Sequence, residues 1–207
     1  MSEVPDQWPP HEPPHELQTA PLFPLPRVFL FPGTLVPLHI FEPRYRQMVE
    51  DLLDRDGRLV IGPIRAGHEP ESGGEPPVYS ISGLGEIVQH NRMPDGRFLI
   101  TVAGLARVRI QEVESDRLYR QARYEPIQEV APTAALAPDL AERLRRAILL
   151  RSESYVDLPP DLPPGPLADV LMQSLELPVS RAQEVYAEPS VERRARMVLA
   201  EHDARSN

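Results

Sequence analysis

The chain has no cysteine, and all 22 of its cationic side chains are arginine. Without thiols there is no disulfide framework, no thiolate metal site and no thiol nucleophile, which suits a reducing compartment. Without lysine there is no Walker A phosphate loop, no Ser-Lys dyad and no Schiff base. The same Arg-, Ala-, Pro- and Leu-rich usage runs throughout, as a bias toward Arg codons would produce, and the exclusion holds whatever its cause. No run of about 18 apolar residues occurs, so no membrane span is expected. The first twenty residues carry Glu3, Asp6, Glu12 and Glu16 with no Lys or Arg, the reverse of a signal peptide. These absences lead to the expectation of a soluble cytoplasmic protein.

At 207 residues the chain is long enough for one large domain, or a domain with a smaller partner, that needs no covalent staples. Its net charge of −9 opposes nonspecific nucleic-acid binding, which needs a basic footprint. Residues 1–20 hold Pro5, Pro9, Pro10, Pro13 and Pro14 among acidic residues and read as a disordered tail, with Trp8 as a lone exposed aromatic. Within it, His11-Glu12-Pro13-Pro14-His15 matches H-E-x-x-H. That zinc motif requires a helix, and its two prolines cost about 3 kcal/mol each in a helical turn, so no metal site is expected.

Leu25 to Phe31 reads as an apolar strand, reversed by Pro32-Gly33 into a second strand over Thr34 to Phe41, where Pro37 marks a sheet edge. Pro43 suits a first helical turn, and Tyr45, Met48, Val49, Leu52 and Leu53 recur on one helical face up to Asp56-Gly57. Arg58 to Ile64 reads as a buried strand, and residues 65–77 as a long loop. Strand signal resumes at Val78, Tyr79, Ile81 and Glu86 to His90, and Pro94-Asp95-Gly96 turns it into Arg97 to Val102. Gly104 is expected to break that strand. Ala106 to Val113 alternates apolar and charged residues, which predicts one core face and one wet face, and Tyr119 to Ile127 adds another strand. About six strands and one helix imply a small barrel or curled sheet.

From Ala131-Pro132 onward the pattern is helical, with Leu140, Leu144, Ala147, Ile148 and Arg151 on one face and Asp139 at the favourable N-terminal end. Leu158 to Pro166 reads as an extended connector, followed by helices on Leu167 to Leu175, after a Ser180/Gln183 capping box, and after a Ser190 cap. In the last, Val191, Ala195, Val198 and Leu199 face inward, and Arg193, Arg194 and Arg196 are expected in solvent. The domain expectation is a tail at 1–20, a strand subdomain at 21–130 and a helical subdomain at 131–207.

No catalytic constellation emerges. Gly83-Leu84-Gly85 lacks the third glycine of a dinucleotide fingerprint and leads into a strand, where that motif needs a helix. His39, His68, His90 and His202 are scattered over separate elements, with His39 set apart by its place beside Phe41 and Glu42. Glu42 and Arg44, with Arg107 and Arg109, are either a ligand clamp or, as expected here, a structural pairing of Glu42 with an arginine of the sheet.

The ordered motifs Leu25-Pro26 through Phe31-Pro32-Gly33, Val36-Pro37-Leu38-His39-Ile40-Phe41-Glu42-Pro43-Arg44-Tyr45, Gly85-Glu86-Ile87, Asp95-Gly96 and Gly104-Leu105-Ala106-Arg107-Val108-Arg109-Ile110 resemble the substrate-binding N-terminal domain of Lon proteases. The resemblance is closer still to stand-alone bacterial proteins made of that domain. It implies an α+β fold, a PUA-like small β-barrel of about six strands with one or two helices, then a C-terminal helical bundle. In that family Pro32, Gly33, Pro37, Glu42, Pro43, Arg44, Gly85, Gly104 and Arg107 are structural motif positions. The implied function is noncatalytic recognition of unfolded or exposed protein segments, a proteostasis adaptor without cofactor, since the ATPase and protease domains and their lysines are missing. Candidate contacts are Phe41, Tyr45, Met93 and Phe98 in a groove between barrel and helices, with core packing the expected role of Phe41 and Phe98. The alternatives are RNA binding through Arg92, Arg97, Arg107 and Arg109, or an enzyme of unrecognised chemistry. Client identity and oligomeric state stay open.

Overall fold

A computed structural model describes residues 18–68, 74–151 and 158–206. The tail with Trp8 and the His11 to His15 motif lie outside the described residues, as does the middle of the 65–77 loop. The fold is mixed α/β, with six strands and five helices. The chain divides into two compact units that part between Ile127 and Gln128.

In the first unit β1 (Gln18–Leu25), β2 (Leu35–Ile40), helix α1 (Pro43–Leu53), β3 (Arg58–Pro63), β4 (Ile81–Arg92), β5 (Phe98–Val113) and β6 (Gln121–Pro126) follow in order. The sheet runs β2-β5-β4-β3-β1-β6, and β6 also pairs with β5, so the ladder returns to a strand it has already used. β1 is parallel to β3, with Leu22 opposite Val60 and Leu25 opposite Pro63. Period-two alternation then sorts side chains into two cores. Leu59 and Ile61 join Phe23, Ile40, Met48, Phe98, Ile100 and Val102 in one. Val60 joins Leu22, Leu84, Val108, Ile110 and Tyr124 in the other. β3 is buried on both faces, as a continuous apolar run requires.

Two strand expectations are corrected. The first strand lies upstream of its expected place, over Gln18–Leu25, and Val28 to Phe31 is irregular. Pro26 and Arg27 form a turn, with Arg27 at φ 60°, and end the strand. Pro21 and Pro24 both lie within that strand. β5 also runs unbroken through Gly104 over 16 residues. Gly104 marks a close approach: a Cβ there would come within 2.0 Å of the Phe31 carbonyl oxygen, and one at Gly85 within 2.6 Å of Leu30. The Pro32-Gly33 turn docks on this spot, because Gly33 N–H donates to Gly104 C=O at 2.9 Å and Gly104 N–H to Thr34 C=O at 2.8 Å. Gly33 sits at φ 78°, a conformation that glycine adopts without penalty.

α1 buries Tyr45, Met48, Val49 and Leu52 on the expected face, while Leu53 is exposed. Each such side chain contributes about 1.5–3 kcal/mol on full burial.

The second unit holds α2 (Ala137–Arg151), α3 (Pro164–Gln173), α4 (Val179–Tyr186) and α5 (Val191–Ser206). The faces expected for α2 and α5 are the buried ones. Pro164 and Pro166, expected in a connector, lie in the first turn of α3, where the missing N–H groups have no intrahelical role. Ser180 is inside α4, whose N-cap is Pro178, so the Ser180/Gln183 capping box does not form. Ser190 does cap α5, its hydroxyl accepting the Arg193 N–H at 3.3 Å. Arg194 is not in solvent but wholly buried, 2.8 Å from Glu129 and 3.2 Å from Asp169. Among the described residues no helix is long and apolar enough to cross a membrane.

Candidate functional site

The end of β2 and the start of α1, through His39, Ile40, Phe41, Glu42, Arg44 and Tyr45, build one wall of a groove of about 610 Å³. β2 pairs with β5 so that Val36, Leu38 and Ile40 point to the core, whereas Leu35, Pro37 and His39 take the opposite face. Phe41 continues the outward parity and is 60% exposed. Core packing, the expected role for Phe41, is therefore corrected. Pro43 then starts α1, with Glu42 as N-cap residue in extended geometry and its carbonyl accepting the N–H groups of Tyr45 and Arg46.

The Glu42 side chain does not cap. It accepts from Arg44 at 2.9 and 3.0 Å, so its partner is the helix's own first turn and not the expected arginine of the sheet. Arg44 in turn lies 4.7 Å from the Tyr45 ring centroid, and Tyr45 stacks obliquely on Phe23 at 4.4 Å. His39 and Phe41 form a second aromatic pair at 5.8 Å. The opposite wall is Phe23, Pro24, Leu25 and Pro26 from the end of β1, with Ile64 and Pro76. Burial, reinforced by Glu42 and Glu75, holds the Tyr45 phenol above its ordinary range against the opposing pull of Arg44 and Arg120. Its hydroxyl stays a neutral donor at physiological pH.

The expected contacts separate. Phe41 and Tyr45 line the groove, but Met93 belongs to the Met93–Arg97 hairpin turn and Phe98 is 1% exposed in the core, with Arg92 stacked 5.6 Å from its ring. Phe98 is thus a packing residue, because it stands opposite Ile40 on the inward parity of β5. This groove is lined by residues of the first unit, from its strands, its loops and α1. Its β1 wall was missed because Pro21, Pro24 and Pro26 disguise the end of a strand; the signal was the alternation that puts Ala20 and Leu22 in one core and Phe23 and Leu25 against the other. Arg107, expected on a wet face, is 3% exposed and lies 5.6 Å from the Phe31 ring. Arg92 pairs with Glu50 at 3.0 Å and Arg97 with Asp95 at 2.6 Å, so these cations are neutralised in place. No group of three metal-ligating side chains occurs among the described residues.

The groove thus combines a mostly apolar lining, an exposed phenylalanine and a self-paired charge couple. The model of the ATP-dependent protease La (LON) substrate-binding domain matches residues 19–201. The chain belongs to that family. It is 28% identical over 200 residues to Lon protease 2 of Sorangium cellulosum, covering 89% of this chain and 24% of that protein. Lon protease 2 of Myxococcus xanthus is 24% identical, with 88% and 23% covered, so the chain spans about a quarter of these Lon relatives. In three dimensions it matches the Lon N-terminal domain protein of Xanthomonas campestris with TM-score 0.65 at 21% identity, covering 89% of this chain and 98% of that one. The N-terminal domain of Mycobacterium avium complex Lon protease gives TM-score 0.68 at 18% identity, with 90% and 98% covered. The Lon N-terminal fold expected from the motifs is therefore the fold observed.

Proposed function

We propose that this Lon-type domain is a noncatalytic module that binds exposed or unfolded protein segments, acting as a proteostasis adaptor, and that the groove at Phe41 and Tyr45 is its contact surface. The observation that carries the reading is that the exposed Phe41 shares a concave lining with Phe23, Leu25, Tyr45 and Ile64: a contiguous apolar concavity, unlike a lone exposed hydrophobe, is the kind of surface that a partner covers. The returning strand ladder supports a PUA-like barrel as the scaffold, with the helical unit as the accompanying bundle. Among the described residues the lining includes no serine, threonine, cysteine or lysine, and the Glu42 carboxylate is occupied by Arg44, which speaks against the enzymatic alternative. The RNA alternative is weakened by Arg107, which is buried, and by Arg92 and Arg97, which are paired.

The test is capture of chemically denatured model proteins against their native forms on immobilised full chain. Enrichment of the denatured forms, reduced about tenfold by Phe41→Glu with melting temperature unchanged, is the expected result. Equal recovery of native and denatured proteins overturns the reading.

A further inference from the structure

The backbone at the groove's β2 wall defines how a segment is held. Gly104 N–H donates to Thr34 C=O, and the register places Leu35 opposite Ala103. Hydrogen-bonded and non-hydrogen-bonded positions alternate along an antiparallel pair. Val36, Leu38 and Ile40 therefore bond to β5, and Leu35, Pro37 and His39 direct their main-chain groups to the other side. β2 is the end strand of the sheet, so among the described residues that side has no partner strand. Pro37 carries no N–H, which blunts the middle of the edge. His39 keeps both N–H and C=O, and it lines the groove. Across from it, Pro24 and Pro26 offer no amide donors, and the Leu25 carbonyl already accepts from Ile64 at 3.0 Å.

We propose that an extended polypeptide segment adds as a strand to the free edge of β2 at His39, placing alternate apolar side chains in the groove beside Phe41 and Tyr45. The inference rests on the groove being a protein-binding surface and names the conformation it selects. The occupant follows from complementarity. An outward N–H and C=O on one residue match the main chain of an extended segment, whereas a helix has spent those groups internally. A second folded copy is a poor occupant: Pro37 interrupts edge-to-edge pairing, and a six-residue edge falls far short of the roughly 800 Å² per partner of a stable interface. The net charge of −9 favours a neutral or basic segment over an acidic one. Main-chain recognition of this kind tolerates many sequences, provided they are β-prone and apolar at alternate positions.

The probe is a fluorescein-labelled peptide of alternating threonine and valine, with one central phenylalanine to fix register and arginine at both ends. Two derivatives carry N-methyl groups on alternate amides, in one phase or the other. Strand addition predicts that one phase loses at least about tenfold in affinity for the full chain while the other binds within about twofold of the parent. Equal loss in both phases, or none in either, overturns strand addition; with none in either, groove capture stands if Phe41→Glu still abolishes binding. No binding of the unmethylated peptide also overturns it, and the groove reading falls with it only if denatured proteins go uncaptured as well. Peptide-reversible dimerisation of the chain would instead make a second copy the occupant and overturn the proposal.

Discussion

The two units place charge differently, although each buries an arginine, Arg107 in the strand unit and Arg194 in the helical unit. In the strand unit the Glu42/Arg44 pair sits at the rim of a groove and Arg92 and Arg97 are paired at the surface, so the apolar lining stays open. In the helical unit the largest wholly buried side chain is Arg194, held between Glu129 and Asp169 with the Glu188 carbonyl 3.0 Å from its guanidinium. The difference follows from periodicity. Along β2 every second residue must leave the core, and Phe41 leaves with them. On α5 the inward stripe of Val191, Ala195 and Val198 also contains position 194, three residues after Val191 and four before Val198, so a charge there is buried with the stripe. The buried arginine lies beside the Phe31 ring in the strand unit and between two carboxylates in the helical unit, and the strand unit in addition leaves an apolar groove open.

The largest expected effect tests the helical half of that contrast. Arg194→Met strands the Asp169 carboxylate in the interior, and urea unfolding should show about 3–5 kcal/mol of lost stability. A loss below about 1 kcal/mol would mean that the buried cluster is not a determinant of the helical unit. In the strand unit the counterpart is steric. Gly104→Ala drives a methyl into the Phe31 carbonyl and should cost about 3 kcal/mol, the upper end of overpacking, in the same assay. An unchanged midpoint would show that the Pro32-Gly33 turn does not need to touch β5.

Tyr119→Phe removes a 2.8 Å hydrogen bond to Asp51 and should cost about 1 kcal/mol. Its pH dependence sharpens the point. Burial first, then the Asp51 hydrogen bond and charge, pushes the Tyr119 phenol from 10.0 up to about 12. The neutral phenol is thus favoured by folding, its contribution is complete below pH 10.0, and it is lost as pH rises toward 12. The variant should show a shallower fall in stability across that window, and an identical alkaline profile would remove Tyr119 from the account. The smallest effect belongs to the surface of α5, where Glu201 accepts from Arg181 at 2.6 Å. That hydrogen bond, and then the one from Arg205, holds its carboxyl below the usual 4.5. Its contribution is present above 4.5 and is lost as pH falls through the lower native value. Glu201→Gln should change stability by under about 1 kcal/mol, and a larger loss would erase the distinction between Arg194 and the exposed pairs.

Much of the fold was legible in the chain. The α1 face, β3, the Met93–Arg97 turn, the α2 and α5 faces and the Ser190 cap all follow from period, proline and cap chemistry acting over a few residues. The failures have a common form. Pro164 and Pro166 argue locally against a helix, yet both lie in the first turn of α3, where the missing N–H costs little. Gly104 reads as a breaker because its real constraint, the Phe31 carbonyl, lies 73 residues away by their numbers. Of the candidate site, Phe41 and Tyr45 were named from the chain, while the wall of Phe23 to Pro26 was not, since it joins the groove only through the pairing of β1 with β3.

By itself the sequence determined the family, the excluded chemistries and the identity of most elements, because those depend on residue types and short-range periodicity. Only the tertiary structure decided that Phe41 stands outside the core, that Phe98 lies within it, that Arg194 is interior and that the end of β1 faces β2's outer edge across a groove. Each of these depends on which distant segments pair and which face they turn to one another. Strand register and helix rotation set them, and a shift of one residue would reverse them.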